Sequence, residues 1–331
     1  MKLPTRYFPR LATSVPIVLC LATAAQQLDP CASISLSAPK PITFGPRAEV
    51  GPAISPDGKS VAFEYTRPIA PDKHQIWVMD LIQGFKSARP LVKDENFNTW
   101  PGWSPDSQWV SFMSGRKVTQ GNILTDQIYK VRVSDGTVVQ LTHFPNETAI
   151  SDSTSWSQEG QIAFVYNDGI YAVRDSGGEA EQLVDLTQRL SPGSLWGAVW
   201  SPDGSRLAFR GIPPGSGEAD KRIWVADSKG KQVIQVTKDF TDDVPSWLDN
   251  DHILFERWGS AGEVRICVVC LHTLRVGHLT RDHIDQTPAA DRTGHTLFFA
   301  RAKLSEENIR AWLPQTHIWA VPINRGRVEH P

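Results

Sequence analysis

The chain has 331 residues, 40% of them hydrophobic and 21% charged, with a formal charge of −2. That composition excludes an intrinsically disordered chain, is ample for a large core, and offers no basic surplus for a duplex or an anionic bilayer.

At the N-terminus, Lys2, Arg6 and Arg10 precede an apolar run from Leu11 to Leu21 that ends in Ala22-Thr23-Ala24. A basic stretch, a short apolar stretch and small residues in that order read as an export signal over residues 1–24, with cleavage near Ala24. The run is too short for the roughly 20 residues a spanning helix needs, so no stable membrane insertion is expected after cleavage. Cys20 follows Val18-Leu19 and Cys31 follows Asp29-Pro30, so neither sits behind the small residues that a lipid anchor would require. Cleavage removes three positive charges and no acid, which makes the remainder more acidic. Residues 25–39 read as a leader segment and residues 40–331 as one folded domain.

From there on a repeat dominates. An anchor position holds Ile54, Trp103, Trp156, Trp200, Trp247 and Ala290, at spacings of 49, 53, 44, 47 and 43 residues. Periods of this length signal a propeller. Three copies run into a turn: Ser55-Pro56-Asp57-Gly58, Ser104-Pro105-Asp106-Ser107 and Ser201-Pro202-Asp203-Gly204. Proline presets φ there, Asp bonds back to the local backbone, and Gly accepts positive φ. Eight or nine residues after each anchor stands a phenylalanine: Phe63, Phe112, Phe164, Phe209, Phe255 and Phe299. A further strand opens with Ile and usually an aromatic, as in Ile76-Trp77, Ile128-Tyr129 and Ile223-Trp224, and Ile266-Cys267 breaks the aromatic rule. A short last strand ends in aliphatic-Thr, as in Leu141-Thr142, Val236-Thr237 and Leu279-Thr280. These positions predict an all-β, six-bladed β-propeller of four-stranded antiparallel blades with almost no helix. Pro41-Ile42-Thr43 occupies the register of an outer strand, so the N-terminal strand is expected to close the ring by completing the sixth blade. The aromatic positions are expected to be blade-to-blade core rather than ligand platforms.

The Trp-Ser-Pro-Asp-Gly turn, the following aliphatic-Ala-Phe and the Ile-Trp-Val strand resemble the PD40 (WD40-like) repeats of TolB-like β-propellers, over about residues 40 to 323. TolB itself carries an α/β domain ahead of its propeller, and none is expected here. The resemblance implies an exported protein, periplasmic or secreted, that binds or scaffolds rather than catalyses.

The rim that holds the entries to the first strands and the loops between strands two and three gathers the candidate binding residues Glu49, Asn98, Trp100, Asp152, Trp196, Asp242, Asp243 and Asp285. Long loops on the same rim, such as Gly211 to Lys221, suit binding. The expected partner is a protein, peptide or glycan of the cell envelope, held by a monomer without a cofactor. The alternative is a metal-dependent hydrolase or lyase with calcium on an acidic site in the channel mouth. Signatures of other enzymes are missing: no Gly-x-Ser-x-Gly, no His-Glu-x-x-His and no Gly-rich phosphate loop. Of the cysteines left after cleavage, Cys267 and Cys270 point to opposite faces of one strand, so a disulfide is expected to use Cys31 rather than to join those two.

Overall fold

A computed structural model describes residues 33–45, 48–67, 70–94, 96–117, 124–145, 150–238, 240–303, 305 and 315–326. The export signal and Cys31 lie outside the described residues. Among those described, all regular structure is β apart from two single 3-10 turns, Phe85–Ser87 and Glu218–Asp220. None of the described helical segments is long and apolar enough to cross a membrane.

The six inner strands are Ala48–Ile54, Phe97–Trp103, Ile150–Trp156, Trp196–Trp200, Thr241–Asp249 and His283–Ala290. Each touches the next and the last touches the first, which closes a ring around a central channel. The expected six-bladed propeller of four-stranded blades is corrected: four such blades form, not six. Four sheets are separate four-stranded blades, while the strands from Thr241 onward join the two N-terminal strands in one nine-stranded sheet. The physical reason is one added contact: Val264, at the start of Val264–Cys270, bridges in parallel to Ile284 of the following inner strand. Val264, Ile284 and Ala302 bury one another there.

Both N-terminal strands add to the last strand, His317–Arg325: Ile34–Leu36 pairs with Ile323 to Arg325, and Lys40–Pro41 with Trp319 and Ala320. The start of the described chain is thus tied to its end by backbone hydrogen bonds as well as packing.

The core follows from the repeat. All six phenylalanines are fully buried. Each faces the residue after the recurrent isoleucine across its strand pair: Phe63 faces Trp77, Phe112 faces Tyr129, Phe164 faces Tyr171, Phe209 faces Trp224, Phe255 faces Cys267 and Phe299 faces Trp319. Such cross-strand pairs are the unit of sheet packing. Three of the four anchor tryptophans latch neighbouring inner strands together. Trp103 Nε1 donates to Ala53 O at 2.9 Å, Trp156 Nε1 to Gly102 O at 3.1 Å and Trp247 Nε1 to Val199 O at 3.0 Å. The Ser-Pro-Asp turns are held as their chemistry suggests: Ser55 Oγ donates to Asp57 Oδ1 at 2.6 Å, accepts from Ser60 N at 2.9 Å, and Gly58 sits at φ 71°.

Every inner strand carries a bulge in the same place, at Gly51, Trp100, Ser153, Gly197, Val244 and Thr287, all with positive φ. For Trp100, Val244 and Thr287 that backbone is costly, and bulges of this kind re-aim side chains beside a site. Neighbouring strands supply partners for three of the displaced amides: Thr287 Oγ1 accepts from Gly51 N at 3.1 Å, Glu64 Oε1 from Trp100 N at 2.9 Å and Glu256 Oε1 from Thr287 N at 2.6 Å.

Candidate functional site

The eight residues singled out on the sequence fall into two settings. Glu49, Asn98, Asp242 and Asp285 are fully buried. They stand where an outer strand hands over to the next inner strand. Asp242 takes a two-point ion pair from Arg257, Nε to Oδ1 at 2.7 Å and Nη2 to Oδ2 at 2.9 Å. Asp285 takes the same from Arg301 at 2.6 and 2.9 Å. Each pair is directly opposed across its strands. Glu49 Oε2 accepts from Thr43 Oγ1 at 2.9 Å and meets His317 Nδ1 at 2.7 Å. Asn98 donates to Asp94 Oδ1 at 2.7 Å and accepts from Ser114 Oγ at 2.7 Å. Burial pushes the carboxyls of Glu49 and Asp242 up, while their partners pull them down. These side chains are committed to internal partners. Asp152 lies on Ile150–Trp156, and its side chain is outside what the structure describes.

Trp100, Trp196 and Asp243 face the channel instead, lining a cavity of about 1000 Å³. The side chain of Asp243 is 15% exposed and binds two cations, Arg210 Nε at 3.0 Å and Lys221 Nζ at 3.3 Å. Arg210 also donates to Ser194 O at 2.9 Å and lies over the Trp196 ring, 4.8 Å from its centroid. Trp196 is 36% exposed and Trp258, on the same cavity wall, 42%. Beneath them Glu256 is buried, and its carboxyl is pushed up to about 8, first by burial and then by the charge of Asp243. The loop before Lys221 closes the cluster, since Thr241 Oγ1 donates to Ala219 O at 2.6 Å and Asp242 N to Lys221 O at 3.0 Å. The two cations Arg210 and Lys221 are balanced here by Asp243 and by Glu218, which lines the same cavity. The acids expected at the mouth are thus neutralised, Asp242 and Asp285 by arginines in the seam and Asp243 by Arg210 and Lys221.

Sequence reasoning missed Arg210, Lys221, Glu256, Trp258, Glu64 and His74. A signal was available: the position right after the core phenylalanine reads Glu64, Met113, Val165, Arg210, Glu256 and Ala300, and a charge on an otherwise apolar strand had to face something other than the core. Cys270 is disulfide-bonded and Cys267 is free and buried, so the two are not joined. Burial pushes the Cys267 thiol up to about 12. Among the described residues, no three His, Cys, Asp or Glu side chains gather so as to hold a metal ion.

No family model matches the chain. An uncharacterized protein of Agrobacterium fabrum is 29% identical over 165 residues, 47% of this chain, which spans about half (52%) of that relative's length. The fold is similar to TolB from Acinetobacter baumannii, with TM-score 0.60 and 17% identity over 82% of this chain and 65% of that one. It is similar to a putative TolB from Agrobacterium tumefaciens at TM-score 0.57 and 17% identity, over 85% and 92% of the two chains. A gluconolactonase from Xanthomonas campestris shares it at TM-score 0.59 and 13% identity, over 87% and 91%. The chain therefore has a TolB-like β-propeller fold, an architecture that enzymes also use, and fold at this identity does not assign function.

Proposed function

We propose that the protein is an exported binding propeller that holds a protein or peptide partner at the mouth formed by Trp196, Trp258, Arg210, Lys221 and Asp243. One observation carries this reading: two indoles, 36% and 42% exposed, flank an ion cluster at the edge of a cavity of about 1000 Å³. Partly exposed tryptophan beside arginine is the composition of binding hot spots, because large rigid rings release water at small entropic cost. The partner's contact residues are aromatic, matched to the indoles, with polar groups that meet the Arg210, Lys221 and Asp243 cluster. Export rests on the N-terminal segment, and the first residue of the mature protein is expected at position 25.

The test is capture from cell envelope by the mature chain, compared with the Trp196→Ala/Trp258→Ala double variant. Loss of both rings is expected to weaken partner binding by about tenfold or more, with melting nearly unchanged, as for truncation of hot-spot anchors. Partners captured equally by both chains would place binding elsewhere. Capture of oligosaccharide rather than protein would replace the partner class, and turnover of a lactone by the metal-loaded protein would replace binding by catalysis.

A further inference from the structure

We propose that the cavity contains a second, independent binding site, a corner of hydrogen-bond acceptors made by Glu64, His74 and Asp126 that takes a primary ammonium group. His74 is 4% exposed and lines the cavity. Its Nδ1 lies 2.8 Å from Glu64 Oε2, with Thr66 Oγ1 at 3.3 Å, and Glu64 is itself fixed by the amide of Trp100 at 2.9 Å. The Nδ1 proton therefore belongs on the carboxylate side, and in the neutral ring Nε2 is left as an acceptor. That Nε2 is buried and has no partner. A buried acceptor without a donor is disfavoured, and a ligand N–H would satisfy it.

The other half of the corner stands across the ring of Phe97, which packs against His74 with centroids 4.7 Å apart. Phe97 is opposite Gly115, and Gly115 is opposite Asp126. The missing side chain at Gly115 makes room for the Asp126 carboxylate, since a Cβ there would come within 2.9 Å of Oδ1. Asp126 lines the same cavity, and burial pushes its carboxyl up. Nitrogen lone pair, carboxylate and the aromatic faces of Phe97 and Trp100 all attract a cation with several N–H bonds, and a hydroxyl or a carboxylate meets fewer of them. A lysine side chain and a peptide N-terminus both present that group.

The probe is n-butylammonium chloride, added to the mature protein and followed through the His74 ring and Trp100 amide resonances, with n-butanol and sodium butyrate as controls. Saturable shifts are expected with the amine alone. Asp126→Asn keeps the volume and removes the charge, and is expected to weaken amine binding about tenfold, the loss of one charge-assisted hydrogen bond. Gly115→Ala, which displaces the carboxylate, is expected to weaken it as well. The Trp196→Ala/Trp258→Ala variant is expected to bind the amine as the parent does, so this site and the mouth stand or fall separately. Equal binding of butanol or butyrate, absence of saturation, or an Asp126→Asn variant with the parent's affinity would overturn the proposal. A lysine-containing peptide with a blocked N-terminus and a lysine-free peptide with a free one then distinguish the two natural sources.

Discussion

Asp242 and Asp243 are neighbours on one strand and show how differently two acids at one rim can be used. Asp242 points into the seam between strands, has no exposed surface, and gives both oxygens to Arg257. Asp243 points into the channel, keeps some exposure, and joins a lysine and an arginine beside an open indole. The seam recurs around the ring with Glu49, Asn98 and Asp285, each bonded to a nearby strand or loop. The Asp243 cluster draws on one loop and two adjacent sheets. A polar residue repeated at one register position is thus part of the scaffold, and the residue one step along the strand is the one that lines the channel cavity.

The sharpest way to break this distinction is to remove a seam acid. Asp242→Ala and Asp285→Ala each leave a buried guanidinium without its carboxylate, and each is expected to cost about 3–5 kcal/mol of stability. Denaturant melts of either variant that overlay the parent would show that the seam pairs are dispensable. Phe164→Ala, which empties a fully buried site in the middle of a blade, is expected to cost a similar amount, about 3–5 kcal/mol.

An intermediate effect is expected from Glu256. Its carboxyl is raised in the fold, to about 8 against 4.5, so the folded chain holds a proton that the unfolded chain gives up. That contribution is fully present below about pH 4.5 and is lost as the pH rises through about 8, so stability should fall across that window. Glu256→Gln keeps the amide partner Thr287 in reach and removes the titrating group. Its melting temperature should change less between pH 5 and pH 8 than the parent's, and an unaltered slope would contradict the burial of a protonated acid there.

The smallest effect is chemical. Cys267 is buried, with a thiol pushed up to about 12, so it should resist alkylation in the native protein at pH 8 and react only on unfolding. Modification of Cys267 at the rate of a free thiol would show that its strand opens readily.

Much of the fold was legible because the repeat puts one residue type at one structural position. The phenylalanines declare the core, and Ser-Pro-Asp declares its hairpin through local bonds. The nine-stranded sheet was not legible, since it depends on one parallel bridge, Val264 to Ile284, between strands that no short-range pattern relates. At the site, the rim residues were found as a set, but their burial was hidden. Arg257 and Arg301 stand fifteen and sixteen residues beyond Asp242 and Asp285, and only the register of the pairing reveals them as opposite partners. His74 escaped because its significance lies in an unsatisfied nitrogen, which no sequence pattern encodes.

Amide hydrogen exchange of the mature protein, alone and with its captured partner, tests the central claim most directly. Binding at the Arg210 mouth predicts slowed exchange in residues 191–197, 217–221 and 241–245 and at Trp258, with the Ser-Pro-Asp turns unaffected. Protection confined to residues 55–58, 104–107 and 201–204, on the opposite rim, would contradict it.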